Sequence, residues 1–249
     1  CGADAIMVMN NILKLIYNLV PLPFKNLLRR IRDLYQWDSY YEKSWSQEGE
    51  DLILSRYFEN KKTTGFYVDV GAHHPLRFSN TYKFYKRGWH GINIDAMPGS
   101  MDLFNRLRHR DINLERAVSD SKQILTYYAF NEPALNGFSK DLSIFRDGLK
   151  DYKIIYKKDI ETLTLEEILD QYMPKDKKID FLSIDVEGLD FAVLKSNNWN
   201  KYAPELILIE ICGSTLDELL NNEVTLCLRQ FGYTIYAKCV NTIIFKNRA

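Results

Sequence analysis

Short apolar runs that close on an acidic residue constrain this chain more than any other feature. Residues 66–70 carry Asp69, residues 91–95 end on Asp95, residues 179–184 run into Asp185, and residues 206–211 are punctuated by Glu210. Runs of about 4–8 β-branched, aliphatic and aromatic residues suit strands buried on both faces. Segments with helical spacing separate them, at 81–86, 98–108, 164–172 and 189–196. Pro98 suits a first helical turn. Thr164 is placed to cap its helix, with Glu166 and Glu167 near the positive end. Residues 112–118 read as a third strand. This alternation predicts a right-handed, doubly wound, parallel sheet. The C-terminal end departs from it. After a helical stretch at 216–231, strands at 233–240 and 242–245 are separated only by Asn241, which forces an antiparallel pair. The expected fold is α/β, a mostly parallel seven-stranded sheet ending in an antiparallel hairpin.

The first 59 residues read differently, as a helical arm before a domain spanning 60–249. The opening Cys1-Gly2-Ala3-Asp4 precedes Met7 and Met9 and is left out of the fold expectation. Ile12, Leu13, Ile16 and Leu19 fall at helical spacing, and Pro21 and Pro23 interrupt it. A second helix follows, with Phe24, Leu27, Leu28, Ile31 and Leu34 on one face and Lys25, Arg29, Arg30 and Arg32 on its polar side. Such a segment suits either an anionic membrane surface or packing on the domain or a second subunit. No run reaches the roughly 20 apolar residues of a membrane span.

Composition excludes more than it selects. Lys and Arg total 33 and so do Asp and Glu, so no basic excess points to nucleic acid. The apolar share, 46%, rules against disorder. Four cysteines include no CxxC pair and no zinc-ligand spacing to histidine. Cys212 and Cys239 lie in apolar runs and read as buried free thiols, suited to a reducing, cytoplasmic setting.

In an open parallel sheet, ligands bind at the carboxyl ends of the strands, where strand order reverses. The residues at those ends are Asp69-Val70-Gly71, Asp95, Val118-Ser119-Asp120, Asp185-Val186-Glu187 and Glu210. Gly71, lacking a Cβ, lets the chain turn sharply and a ligand approach the backbone. A helix N-terminus beside it would favour a carboxylate. Asp95, one βαβ unit downstream, can accept ribose hydroxyls. Val118 and Asp120 can flank a base. A nicotinamide site would need GxGxxG, and Gly71 has no glycine at the next two expected places. Asp185 and Glu210 could also share Mg²⁺, which prefers oxygen ligands. Residues 124–158 are rich in aromatics, with Tyr127, Tyr128, Phe130, Phe138, Phe145, Tyr152 and Tyr156 beside Asn131 and Asn136. Tyr127 and Phe130 read as core of an added β-element, and 132–152 as a lid over an acceptor.

Three blocks, Ser46-Gln47-Glu48-Gly49-Glu50-Asp51-Leu52, Phe66-Tyr67-Val68-Asp69-Val70-Gly71-Ala72-His73 and Ile184-Asp185-Val186-Glu187-Gly188, resemble the FkbM family of S-adenosylmethionine-dependent methyltransferases. The resemblance covers roughly 46–245. It implies the class I, Rossmann-like methyltransferase fold, whose sheet ends in just such a hairpin, and O-methylation, often of sugars. It also implies a cofactor site on Gln47, Asp69, Gly71, Ala72, Asn80, Asp95, Ala96, Val118 and Asp120. Family members carry an Asn and a Gly after the Gly-Ala pair, where this chain has His73-His74-Pro75-Leu76-Arg77. Asp185 or His73 is the expected general base, the histidine having the better matched pKa. Glu187 would hold the substrate or orient the base. The expected acceptor is a carbohydrate hydroxyl, with a homo-oligomer and a peripheral membrane contact through the arm as further expectations. A binding protein that keeps the fold without the chemistry is the alternative class.

Overall fold

The computed structural model describes residues 20–35, 41–59, 62–213 and 215–248. The first expected helix, on Ile12 to Leu19, lies outside them. Helix α1, Leu22–Tyr35, matches the second, and Pro23 sits in its first turn, where a missing N–H costs nothing. Contacts divide the chain between Lys43 and Ser44. The arm therefore ends there and not at Glu59. Helix α2, Glu50–Phe58, belongs to the α/β unit, because Leu54, Tyr57 and Phe58 pack with Tyr67, Phe84, Trp89 and Phe181.

The strands of that unit are β1 (Phe66–Val70), β2 (His90–Asp95), β3 (Ile112–Glu115), β4 (Ala117–Val118), β5 (Ile124–Phe130), β6 (Ile154–Leu163), β7 (Phe181–Ile184), β8 (Leu206–Glu210), β9 (Tyr233–Lys238) and β10 (Thr242–Asn247). Seven of them form one sheet in the order β3-β2-β1-β7-β8-β10-β9. The expected mostly parallel sheet is present, and β10 runs antiparallel to both its neighbours, β8 and β9. Strand order reverses between β1 and β7, which pair in parallel from Tyr67–Phe181 to Val70–Ile184.

Strand side chains alternate between two cores, as the period of two requires. Phe66, Val68 and Val70 face one core, with Ile92, Ile94, Leu182, Ile184, Ile207 and Ile209. Tyr67 and Phe181 face the other. Helices α3 (Tyr82–Lys86), α4 (Ser100–Leu107), α5 (Lys140–Arg146), α6 (Leu165–Tyr172), α7 (Asp190–Lys195), α8 (Leu216–Leu219) and α9 (Glu223–Gln230) complete the unit. Thr164 caps α6 in a reciprocal capping box with Glu167. Three details differ from expectation. Helix α4 starts at Ser100 behind the left-handed Gly99, so Pro98 precedes it. The stretch 216–231 is two helices. The strand expected over 112–118 is cut at Arg116, whose N–H donates to the Asp95 carbonyl. Its last two residues join β6 in a separate sheet, β4-β6-β5. In β5, Tyr127 to Phe130 are buried, as a core β-element demands.

One buried ion pair ties several of these pieces together. Arg108 and Asp111 lie 2.8 Å apart with both side chains fully enclosed. Asp111 also accepts from the Tyr67 hydroxyl, the Gly91 N–H and the Asn93 amide. Arg108 donates to the Tyr67 and Thr81 hydroxyls and the Pro75 carbonyl, fixing the long loop after β1. Removing one partner of such a pair leaves a buried charge without compensation. Arg108→Met is expected to lower unfolding free energy by about 3–5 kcal/mol. Urea denaturation reads this loss, and adding Asp111→Asn should recover part of it.

Candidate active site

The reversal point is built by a close approach of two backbones. Gly71 has φ of 85°, and a Cβ there would lie 1.7 Å from the Asp185 carbonyl oxygen. The Asp185 N–H donates in turn to the Val70 carbonyl at 2.9 Å. The glycine therefore makes room for the loop after β7. The N–H groups of Gly71 and Ala72 both donate to the Ile94 carbonyl. They are not free, and ten residues separate Gly71 from α3. The anion-binding helix end expected at this turn is absent.

A cleft of about 340 Å³ opens above the reversal point. Gln47, Gly71, His73, Asp95, Ala96 and Val118 line it, as the sequence suggested, and so do Asp185, Glu187 and Glu210. Four expected residues stay off its wall. Asp69 points into the interior and accepts from the Thr81 hydroxyl at 3.1 Å. Burial pushes its carboxyl up to about 6 against the pull of Arg108. Ala72 packs with Met101 and Phe104. Asn80 donates to the Ser183 hydroxyl, and Asp120 is held by Ser121 and Gln123.

Asp95 organises one end of the cleft. Its oxygens accept the N–H groups of His73 and Met97, each at 2.8 Å. Each keeps lone pairs for a further donor. Burial raises its pKa, opposed by those two N–H groups. His73 is held in a left-handed conformation, φ 52°, with its Nε2 buried and unpartnered. Burial, then the nearby Arg77 and His74 charges, lower its pKa to about 4. The imidazole is therefore neutral and weakly basic at neutral pH, which reverses the expectation that it is the better matched base.

The other end gathers carboxylates. Glu210 is pushed up to about 7 by burial and then by Glu187 and Asp190. Asp185 stands well above the usual carboxylate range, through the protein crowded around it and through Glu210, Asp190, Glu187 and Asp69. Its side chain is open to the cleft, so water tempers the desolvation, while the mutual repulsion persists. Glu187, left-handed at φ 54°, accepts from Arg146 of α5 at 2.7 Å. Asp190 fixes the whole turn, its carboxylate accepting the N–H groups of Val186 and Gly188. Among the described residues, no three His, Cys, Asp or Glu side chains are grouped to hold a metal, and Asp185 and Glu210 stand as two repelling groups.

A lid formed by 132–146 closes over this turn. A Cβ on Gly137 would lie 3.0 Å from that of Glu187, so the two backbones touch. Tyr127 meets Phe138 edge to face at 5.1 Å, and the Asn136 side-chain oxygen accepts the Phe130 N–H. Arg77 pairs with Glu132 and joins the lid to the loop after β1. Of the seven aromatics in 124–158, Tyr127, expected in the core, and Phe138, expected in the lid, line the cleft, and Phe145 is 70% exposed. Cys212, expected to be buried, is exposed on the cleft wall. The block at 46–51 has a scaffold role. Glu48 accepts the N–H groups of Asn241 and Thr242 at the terminal hairpin, and Asp51 accepts from Ser44, Ser46 and the Trp45 N–H. Asn136, named beside the aromatics, lines the cleft, whereas Arg146, Asp190 and the cleft position of Asn241 were missed. Arg146 and Asp190 lie at no strand end, although Asp190 sits two residues after Gly188 where a carboxylate can close a turn, and Asn241 was read only as a turn.

The strand order and the strand-end cleft define the class I, Rossmann-like methyltransferase fold. The sequence model of the Methyltransferase FkbM domain matches residues 69–235, and the chain belongs to that family. A search of curated proteins found no match. Among solved structures, PH1948 from Pyrococcus horikoshii, a proposed RNA methyltransferase, is similar with a TM-score of 0.42 and 7% identity, over 83% of this chain and 91% of that one.

Two glycines separate strain from collision. Gly49 is also left-handed, but a Cβ there meets nothing within 4 Å. Gly49→Ala is expected to cost about 1–2 kcal/mol, the left-handed penalty alone. Gly71→Ala adds the collision with Asp185 and should cost at least about 3 kcal/mol. Guanidinium denaturation of both variants checks the difference.

Proposed function

We propose that the protein transfers a methyl group from S-adenosylmethionine to a hydroxyl of a carbohydrate acceptor. The observation that carries this reading is the cleft itself, with Asp95 at one end and carboxyls of raised pKa at the other. Its volume suits a small-molecule site, typically ~300–1,000 Å³. The residues fit a cationic nucleoside cofactor. The Asp95 lone pairs suit ribose hydroxyls, Ala96, Met97 and Val118 offer apolar walls to a base, and the repelling carboxylates would be relieved by positive charge. When bound, S-adenosylmethionine supplies a methyl group already activated on sulfonium.

The protein then has to align the acceptor oxygen and take up its proton. Asp185 is the base in this reading. Burial, with crowding by Glu210 and Glu187, raises its proton affinity above that of an ordinary carboxylate, as a base requires. With the cofactor bound, the Asp185 carboxylate would take up the hydroxyl proton while the acceptor oxygen displaces the methyl group from sulfur, the electron pair of the broken C–S bond staying on the neutral thioether product. Glu187, held by Arg146, orients the acceptor under the lid. Tyr127 and Phe138 offer aromatic faces, and Gln47, Asn136 and Asn241 offer amides, a combination that suits the apolar face and hydroxylated edge of a sugar ring.

Calorimetry with S-adenosylmethionine tests the first half. Asp95→Ala should weaken binding by about tenfold or more, through loss of hydrogen bonds to a charged group. No binding by the wild type would end the reading. Transfer of labelled methyl to oligosaccharides tests the second half, and Asp185→Asn should retain cofactor affinity while losing most turnover. The base acts ionised, so its raised pKa places the acidic limb of kcat/KM well above pH 4. Glu210→Gln removes a negative neighbour and should move that limb to lower pH. A limb that stays put would separate Glu210 from the base.

A further inference from the structure

Helix α1 carries a surface that the catalytic reading does not use. Phe24, Leu27 and Leu28 stand at i, i+3 and i+4, on one face, and are 62%, 52% and 50% exposed. At 100° per residue, Lys25 flanks one edge of that stripe, with Arg29 next to it, and Arg30 flanks the other. The helix holds four cations and one acid, Asp33, in a chain whose charges balance to zero. Its first turn has no acidic residue. Among the described residues, no helix is long and apolar enough to cross a membrane. At 14 residues, α1 extends only about 21 Å, short of the ~30 Å hydrocarbon core.

We infer that α1 lies in the plane of an anionic lipid bilayer, its apolar stripe in the acyl boundary and its cations among the headgroups. The charge arrangement selects this occupant. A stripe meant for a protein core needs no cationic borders, whereas at a bilayer long basic side chains extend from an immersed stripe to the phosphates. Each such cation strengthens binding roughly fivefold. The inference rests on the residues of α1 alone and is independent of the methyl-transfer reading.

Flotation of the full chain with phosphatidylcholine vesicles, with or without phosphatidylserine, is the test. The protein should float with the anionic vesicles, remain behind with the neutral ones, and detach as salt rises. Arg29→Gln with Arg30→Gln should lower partition roughly 30-fold. Leu27→Glu with Leu28→Glu should abolish it with an unchanged thermal midpoint. Absence of flotation on anionic vesicles would overturn the inference. So would flotation that survives Leu27→Glu with Leu28→Glu, or a fall in thermal midpoint in that variant, which would place the stripe in a protein core. Loss of a dimer in that variant, by light scattering, without any vesicle binding in the wild type would assign the stripe to a second copy instead.

Discussion

The site depends on one steric fact, that the backbone of Asp185 occupies the space a side chain at position 71 would need. Parallel pairing of β1 with β7 brings the two strand ends together, and only glycine lets the loops after them interlock. That contact fixes Asp185 at the reversal point. The Ile94 carbonyl, accepting from Gly71 and Ala72, fixes the end of β2 to the same turn, so Asp95 is registered against Asp185 through backbone alone. The Arg108–Asp111 pair then holds the loop after β1 from below.

Electrostatics follow from this placement. Strand ends crowded together bring their acids together, and the only cation paired with them is Arg146, on Glu187, among the interactions described. Burial and repulsion raise the carboxyl pKa values of Asp185 and Glu210, while burial and neighbouring cations depress His73. The same cleft thus holds Glu210, able to carry a proton near neutral pH, and an imidazole that stays neutral. The sign has a consequence for stability. His73 in the unfolded chain, near 6.5, binds a proton that the folded site refuses down to about 4, so its share of stability is lost as pH falls through that window. Glu210 acts oppositely, because the folded chain binds the extra proton between its usual range and about 7, and its share is lost as pH rises there.

Much of this was legible in the residues. Continuous apolar runs gave the buried strands, and the short connection ending at Asn241, three residues in the structure and not the one expected, required the antiparallel ending. The acids at Asp95, Asp185 and Glu210 were found because strand ends are where open sheets bind ligands. What escaped depended on tertiary contact. Asp69 shares the strand-end position but faces Arg108 and Thr81, since alternate residues on a strand face opposite sides. Nothing local marks Arg146 as the partner of Glu187, 41 residues away. The cut at Arg116 was hidden because an apolar run does not reveal which sheet its two halves join. The pKa of His73 was misjudged because intrinsic values hold only for exposed groups.

The central claim is that this cleft seats S-adenosylmethionine with its reacting end towards Asp185. The direct measurement is a crystal structure with the product cofactor, S-adenosylhomocysteine. The account predicts ribose hydroxyls on the Asp95 carboxylate, adenine between Met97 and Val118, and the sulfur facing the cleft end formed by Asp185, Glu187 and Glu210. Density for the cofactor elsewhere, or with its ribose away from Asp95, would contradict it.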